Sequence, residues 1–168
     1  MALVTSIADI PSLEYEYHTI TVDSIGQGSA NTFTCYLSQP IRNVVQAKLL
    51  AAHIHSNVST EHCYVSINEL DSIFSDRASN VYDGQASMSM LKGSFASIIT
   101  GDSSHSGGNS TILFKDEYTI ATQYIDPIRR IDRLMVTIRD QTGNTIKNPT
   151  DSADNFLILR FVCRKPNL

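Results

Sequence analysis

The sequence predicts an all-β protein built as one antiparallel domain, and three observations support this prediction. Runs of alternating apolar and polar residues recur along the chain and provide about nine strand candidates. Glycine, proline and small polar residues separate these runs, as they do in chains that repeatedly turn back on themselves. No convincing helix, internal repeat or linker interrupts the pattern. It is typical of a β-sandwich or a jelly roll.

The clearest strand covers residues 128–139. Its apolar side chains recur at every second position, which indicates a strand buried mainly on one face: Leu134, Val136 and Ile138. Residues 140–144 follow as a tight turn, in which Gly143 is free to adopt a positive φ. We expect the chain to begin its return at residues 145–148.

Two runs near the N-terminus also predict strands. Residues 15–23 alternate, but the parity changes between Tyr17 and Ile20, which indicates a bulge or a change of buried face. After a loop at residues 25–31, a short strand at 33–37 is expected to end at Pro40.

The run at residues 44–54 is apolar on both parities. A helix is possible here because alanine and leucine are good helix formers, but the flanking strands favour a strand. Residues 156–163 share this two-sided apolar character. Either both strands pack one face in the core and the other on a neighbouring subunit, or they are central strands covered by loops.

The other predicted segments are irregular regions and further strands. Residues 71–92 are expected to be irregular, with a short helical piece around 87–91, and residues 101–109 to form a polar loop. The remaining predicted strands are 63–67, 95–100, 112–114, 118–125 and 156–164.

Length and composition indicate one domain with a short arm. The chain has 168 residues, of which residues 1–14 show little periodicity and are predicted to form an extended arm. Residues 15–168 form the predicted domain. Charged residues make up 18% of the chain, below the roughly 25% usual for soluble domains. Such a surface suits contact with other proteins, because less charge must be desolvated on docking.

The charge distribution argues against a nucleic-acid-binding surface as the main function. The net charge is −4, and the thirteen Lys and Arg are spread along the sequence, where only Arg129, Arg130 and Arg133 cluster. No apolar run is long enough to span a membrane, and the N-terminus lacks the features of a signal peptide. An odd number of widely spaced cysteines predicts reduced, buried thiols: Cys35, Cys63 and Cys163.

Five segments, taken in order, carry a resemblance to a known group of proteins. They are Gln-Pro-Ile-Arg-Asn-Val-Val-Gln-Ala-Lys-Leu-Leu at 39–50, Tyr-Val-Ser-Ile-Asn-Glu-Leu-Asp-Ser at 64–72, Ser-Phe-Ala-Ser-Ile-Ile at 94–99, 128–143, and Asn-Phe-Leu-Ile-Leu-Arg-Phe at 155–161. Together they resemble the single jelly-roll penton (minor capsid) proteins of viruses with double jelly-roll major capsid proteins. Virophages, polinton-like viruses and some large DNA viruses of eukaryotes carry such proteins. The resemblance extends from about residue 15 to residue 164.

The resemblance implies an eight-stranded jelly roll that assembles as a homopentamer and closes the icosahedral five-fold vertices. The implied partners are further copies of the chain and the surrounding trimers of the major capsid protein. The implied location is the virion capsid, after synthesis in the host cytoplasm or a viral factory. No enzymatic activity and no cofactor are expected. Some relatives carry an extra outward domain, for which 168 residues leave no room, so a receptor-binding role is in doubt.

Charged residues suggest a possible contact between or within subunits. Glu69 and Asp71 are two residues apart, so on an extended segment both carboxylates point to one side. Adjacent carboxylates on one side are poorly placed to flank a substrate bond, which disfavours a glycosidase. We expect them instead to accept hydrogen bonds from arginines, within the subunit or across an interface: Arg129, Arg130 and Arg133.

Two further functions remain as alternatives. A jelly-roll module that binds carbohydrate or a receptor would use exposed aromatic side chains, and the candidate tyrosines are 15, 17, 36, 64, 118 and 124. A cupin-like metalloenzyme would use His53 and His55 on one strand face with His62 or His105 as a third ligand. The glycine expected before such a histidine pair is absent, so histidines near a strand end are favoured. No motif for a nucleophile or a phosphate-binding loop is present.

Overall fold

The computed structural model describes residues 14–56, 60, 62–71, 80–82, 85–87, 94–99, 110–115, 121–146 and 153–166. In these residues the regular elements are strands, without a helix. The strands are β1 (Tyr15–Asp23), β2 (Thr32–Ser56), β3 (His62–Ile67), β4 (Asn80–Tyr82), β5 (Gln85–Ser87), β6 (Ala96–Ile99), β7 (Ser110–Lys115), β8 (Thr122–Arg139) and β9 (Phe156–Arg164).

Seven of these strands form one antiparallel sheet, curled into a half-barrel. The strand order is β1-β9-β2-β8-β3-β6, and β7 pairs with the far end of β2. Strands β4 and β5 form a separate two-stranded hairpin. The prediction of an all-β, antiparallel fold is therefore confirmed. The eight-stranded jelly roll stays a prediction.

The core lies on one face of the curled sheet. Its largest fully buried side chains come from strands that are far apart in sequence, among them Ile54, Ile67, Leu134, Leu157 and Phe161. Burial of each such side chain contributes about 1.5–3 kcal/mol. The core therefore depends on the long-range pairing of β2 with β8 and β9.

Strands β2 and β8 are much longer than the sequence predicts. The predicted end of a strand at Pro40 is wrong, because β2 continues through this residue. The predicted separation of the strands 118–125 and 128–139 is also wrong from Thr122 onward, because β8 includes Pro127. Residues 118–120 lie outside the described part of the chain.

Each of these two strands leaves the β2–β8 ladder once, in an unpaired segment that we call an excursion. Residues 37–40 of β2 lie opposite a single residue of β8, and residues 124–127 of β8 lie opposite a single residue of β2. The last residue of each excursion is a proline, Pro40 or Pro127. A proline lacks the N–H that a ladder needs, so it is tolerated at a bulge but not in a paired position. The excursions explain why these prolines do not end the strands.

Bulges also explain the two-sided apolar character of residues 44–54. This run is a strand, as favoured from its sequence. Val45 and Leu50 have no partner residue in β9, and each marks a shift in register. An unpaired residue reverses the parity of the residues that follow. The buried side chains consequently change from Ala47 and Leu49 to Ala52 and Ile54.

Strand β9 needs no such shift. Leu157, Leu159 and Phe161 are buried, whereas Ile158 and Val162 are half-buried on the other face. Its apolar residues on both parities therefore give one core face and one partly covered outer face.

Strand β1 contains no bulge. Its register with β9 is continuous from Tyr15 to Asp23, so a change of buried face accounts for the parity change. Val22 is buried, whereas Tyr17 lies on the opposite face with the guanidinium carbon of Arg160 4.9 Å from its ring centre.

The turn after β8 forms as predicted. Gly143 has a φ of 91°, and Asp140 accepts hydrogen bonds from the N–H groups of Thr142 and Asn144 at 2.8 and 3.1 Å. The chain then returns through a bridge between Thr145 and Arg139.

Several predictions fall wholly or partly outside the described residues. These are the arm at 1–14, of which only residue 14 is described, most of the irregular segment 71–92 and the loop 101–109. Of the predicted helical piece, Ser87 lies in β5 instead, while residues 88–91 are not described. Among the described elements, none is a helix with the length and apolarity needed to cross a membrane.

Candidate interaction surface

The outer face of the sheet carries a cluster of polar and large apolar side chains where β2 meets β8. Tyr36 pairs in register with Arg133, and Thr34 pairs with Met135. Residues paired across an antiparallel ladder project to the same face. We call the following residues the Tyr36 patch: Thr34, Tyr36, Arg133 and Met135, together with Asn68 and Glu69 from the turn after β3.

Exposure distinguishes this patch from the core beneath it. The side chain of Tyr36 is 76% exposed and that of Met135 is 36% exposed, whereas the adjacent Leu134 and Val136 are buried. Tyrosine, methionine and arginine are enriched in the centres of protein interfaces. The patch therefore has the composition of a protein-binding surface.

Glu69 ties the turn after β3 to this surface. Its Oε2 accepts a hydrogen bond from the N–H of Met135 at 2.8 Å, and its Oε1 lies 3.8 Å from Nε of Arg133. Arg133 is about half exposed. An exposed ion pair of this kind contributes about 0–1 kcal/mol to folding, so its main effect is to orient the arginine.

Asp71 has a different role from Glu69, although both were predicted to face arginines. Its Oδ1 accepts a hydrogen bond from the N–H of Ile67 at 2.8 Å and stabilises the turn that follows β3. Burial raises the pKa of Asp71, and hydrogen bonds from the backbone of Ile67 and Phe95 oppose this rise. Next to it, the hydroxyl of Tyr124 donates to the carbonyl of Leu70 at 2.8 Å.

The three predicted arginines also separate. Arg133 lies near Glu69, whereas Nε of Arg130 donates to Asp132 at 2.8 Å on its own strand. Arg129 is exposed. The structure thus brings Glu69 and Arg133 together within one subunit, and the role of these residues between subunits stays a prediction.

The histidine pair lies on one strand, as predicted, with ring centres 4.6 Å apart for His53 and His55. His62 instead contacts the hydroxyl of Ser97, and His105 lies outside the described residues. Within the described part of the chain, no group of three His, Cys, Asp or Glu residues is placed to hold a metal ion. The two rings do, however, lie side by side near the end of β2.

The cysteines offer no activated nucleophile. All three are free thiols, and Cys35 is only half-buried, whereas the other two are buried as predicted. Burial raises the pKa of Cys63 to about 12, and burial together with the charge of Glu16 raises that of Cys163 to about 11. Both thiols are therefore protonated at neutral pH.

The described candidate tyrosines are distributed over four strands: Tyr15 and Tyr17 share one face of β1, and Tyr36, Tyr64 and Tyr124 lie on β2, β3 and β8. Tyr15 is half-buried. Tyr64 is buried and Tyr124 is half-buried, while Tyr17 and Tyr36 are exposed on different strands. Arg160 already covers the ring of Tyr17. Tyr118 lies outside the described residues.

Sequence reasoning missed Asn155, a buried polar residue that links distant segments. Its Oδ1 accepts a hydrogen bond from the N–H of His55 at 2.8 Å, and its Nδ2 donates to the carbonyl of Ala30 at 2.9 Å and to Oδ1 of Asn31 at 2.6 Å. Its backbone exchanges two further hydrogen bonds with Ser24. An asparagine before a strand normally indicates a turn, and no local signal distinguishes a buried one.

No model of a protein family matches the chain, and no curated protein matches it significantly.

Proposed function

We propose that this protein is a capsid subunit that forms homopentamers and closes the five-fold vertices of an icosahedral virus. In this proposal the chain folds as a single eight-stranded jelly roll, and trimers of a double jelly-roll major capsid protein surround the ring. The subunit has a structural role and no catalytic one. The order of the five resembling segments and the antiparallel all-β fold support the proposal.

The observation that carries the proposal is the Tyr36 patch. A closed ring is a heterologous assembly, in which each subunit uses one surface to bind a different surface of its neighbour. The patch supplies one such surface, because Tyr36 and Met135 expose apolar area that the fold itself does not cover. Arg133, oriented by Glu69, lies beside this area and provides directional hydrogen bonding.

The mass of the protein in solution tests the proposal. Five chains of 18.6 kDa give a particle of 93 kDa, which light scattering or mass photometry separates clearly from a monomer or a trimer. We expect the 93 kDa species. A trimer that binds glycans on an array would contradict the proposal and favour a carbohydrate-binding module.

Two variants test whether the Tyr36 patch lies in the ring. The double variant Tyr36→Ser/Met135→Ser removes its apolar area, and we expect the subunit association to weaken by at least 30-fold, or about 2 kcal/mol. Ile25→Ser is the matched control, because Ile25 is also an exposed apolar residue, 58% exposed, but lies in the loop after β1. Equal dissociation of both variants would contradict this placement of the interface.

A further inference from the structure

Basic residues from three separate segments of the sequence lie on three neighbouring strands. The order β9-β2-β8 places the end of β9 beside the middle of β2 and of β8. We call this set the basic surface: Arg42, Arg129, Arg130, Arg164 and Lys165. Each of its members is exposed.

Arg42 and Arg130 are paired in register and project to the same side of the sheet, and Arg129 is exposed beside them. Ile41 pairs with Ile131 and Val44 pairs with Ile128, and these four residues lie in or against the core. Of the residues between them, the three arginines are exposed and Asn43 is half-buried. The positive φ of Asn43, 53°, reverses the normal alternation on β2. Arg42 then lies directly opposite Arg130 in register.

Strand β9 adds the remaining two cations. Cys163 pairs with Val44, so Arg164 and Lys165 follow directly beside this point of β2. A shallow groove joins them to the two long strands and is lined by Asn43, Pro127, Arg164, Lys165 and Pro166. None of these lining residues is a large apolar side chain.

The charges on this surface are unbalanced. Asp132 is paired with Arg130 at 2.8 Å, and Asp126 precedes Pro127 at the edge of the groove. Glu16, opposite the buried Cys163, belongs to the other face of the sheet. The N–H of Lys165 donates to the carbonyl of Glu14 at 2.9 Å, which places this exposed residue opposite Lys165. Five cations thus face three carboxylates in a chain whose net charge is −4. Like charges directly opposite each other destabilise a sheet, so the pair of Arg42 and Arg130 is stabilised by Asp132 and would be stabilised further by a bound anion.

We infer that the basic surface binds the phosphate backbone of a nucleic acid without preference for its sequence. Guanidinium groups bind phosphate oxygens in a bidentate manner. Three neighbouring strands span about 10 Å. Successive phosphates of one strand advance about 3.4 Å along a duplex axis and further along an extended single strand, so the surface accommodates about two or three of them. The groove lining offers a protein partner no large apolar side chain, which favours a polyanion over a folded protein, although Ile125, 92% exposed, lies two residues before Pro127.

This inference does not rest on the proposed capsid role. It also changes the conclusion drawn from the sequence, in which only Arg129, Arg130 and Arg133 cluster. The fold brings Arg42, Arg164 and Lys165 to the first two of these residues, while Arg133 belongs to the Tyr36 patch.

The test uses a fluorescein-labelled oligothymidylate of 20 nucleotides and fluorescence anisotropy at 50 to 200 mM NaCl. About two or three phosphate contacts on a single strand predict a slope no steeper than about −2 in a plot of log K against log salt concentration. The variant Arg42→Gln/Arg129→Gln should bind about ten- to a hundredfold more weakly at 50 mM salt and have a shallower slope. Neither substituted arginine lies in the Tyr36 patch.

The control is Lys48→Gln/Lys115→Gln, which removes the same charge from β2 and β7, away from the groove. We expect its affinity to change less than threefold. Absence of wild-type binding at 50 mM salt, or equal losses in both variants, would overturn the inference. Competition by poly-glutamate as effective as that by unlabelled oligothymidylate would also overturn it and indicate a surface for acidic proteins. If a variant no longer forms pentamers but still binds the oligonucleotide, the inference about nucleic-acid binding stands.

Discussion

The surroundings of Asn155 and of Arg133 show two ways in which polar side chains link distant parts of this chain. Asn155 is buried, and its side chain makes three hydrogen bonds to two segments, residues 30–31 and His55. Arg133 is about half exposed and lies 3.8 Å from Glu69. A buried polar group destabilises the fold when it loses a partner, whereas water replaces a partner at the surface. The first cluster therefore serves folding, and the second remains available for another molecule.

The largest effect expected from this comparison is on folding. Asn155→Ala leaves the N–H of His55 and the carbonyl of Ala30 without their partner, so we expect the free energy of unfolding to fall by about 3 kcal/mol. Urea denaturation measures this change. Asn144→Ala is the control, because Asn144 is exposed and its side chain bonds only to Thr142 nearby, and it should cost less than about 0.5 kcal/mol. A loss below 1 kcal/mol for Asn155→Ala would show that the buried cluster is not what joins these segments.

A smaller effect is expected at the exposed cluster, and it concerns association. Arg133→Glu places two carboxylates side by side, so we expect pentamers to weaken about tenfold while the free energy of unfolding changes by less than about 0.5 kcal/mol. Adding Glu69→Arg should restore assembly only in part, because Glu69 also accepts the N–H of Met135. Native mass spectrometry and urea denaturation of the same samples separate the two effects. Full assembly of the single variant would contradict this pairing.

The smallest effect is a pH dependence at the edge of the buried cluster. Burial, reinforced by the neighbouring His53, lowers the pKa of His55 below its usual value of 6.5. The unfolded chain therefore takes up this proton first as the pH falls. The contribution of neutral His55 to the free energy of unfolding is complete above about pH 6.5. It declines as the pH falls towards the lowered pKa of the folded state, and stays constant below that pKa.

His55→Gln tests this dependence. We expect the variant to lose less thermal stability than the wild type between pH 7.5 and pH 5.5, as measured by Tm. His18→Gln, on β1, is the comparison variant because its histidine is partnered by Glu16 at 3.4 Å. An equal decrease for His55→Gln and the wild type would contradict the assigned role.

Local patterns predicted much of the fold. The alternation of Leu134, Val136 and Ile138 is sufficient to identify a strand and its buried face, and the turn at Gly143 follows from residue types alone. The continuation of β2 through Pro40 was not predictable in this way. A proline ends a strand unless the neighbouring strand leaves that position unpaired. For Pro40 the neighbouring strand is β8, about 90 residues away in the sequence.

Local patterns also limit how far the candidate sites can be predicted from the sequence. Glu69 and Arg133 were recognised as possible partners because both are charged and stand in distinctive segments. Asn155 was missed because its partners come from three distant segments, and the basic surface was missed because Arg42 and Arg164 are 122 residues apart in the chain. Such groupings depend on strand order, which local periodicity does not specify.

At the excursions of β2 and β8, the length of the chain can change without a change in strand register. Residues 37–40 and 124–127 each leave the ladder and rejoin it, so residues inserted there lengthen a protrusion without moving any paired residue. An insertion elsewhere in either strand reverses every following side chain between core and surface. These two sites are therefore where new surface can be acquired in evolution, or an epitope or affinity tag inserted, while the core stays unchanged.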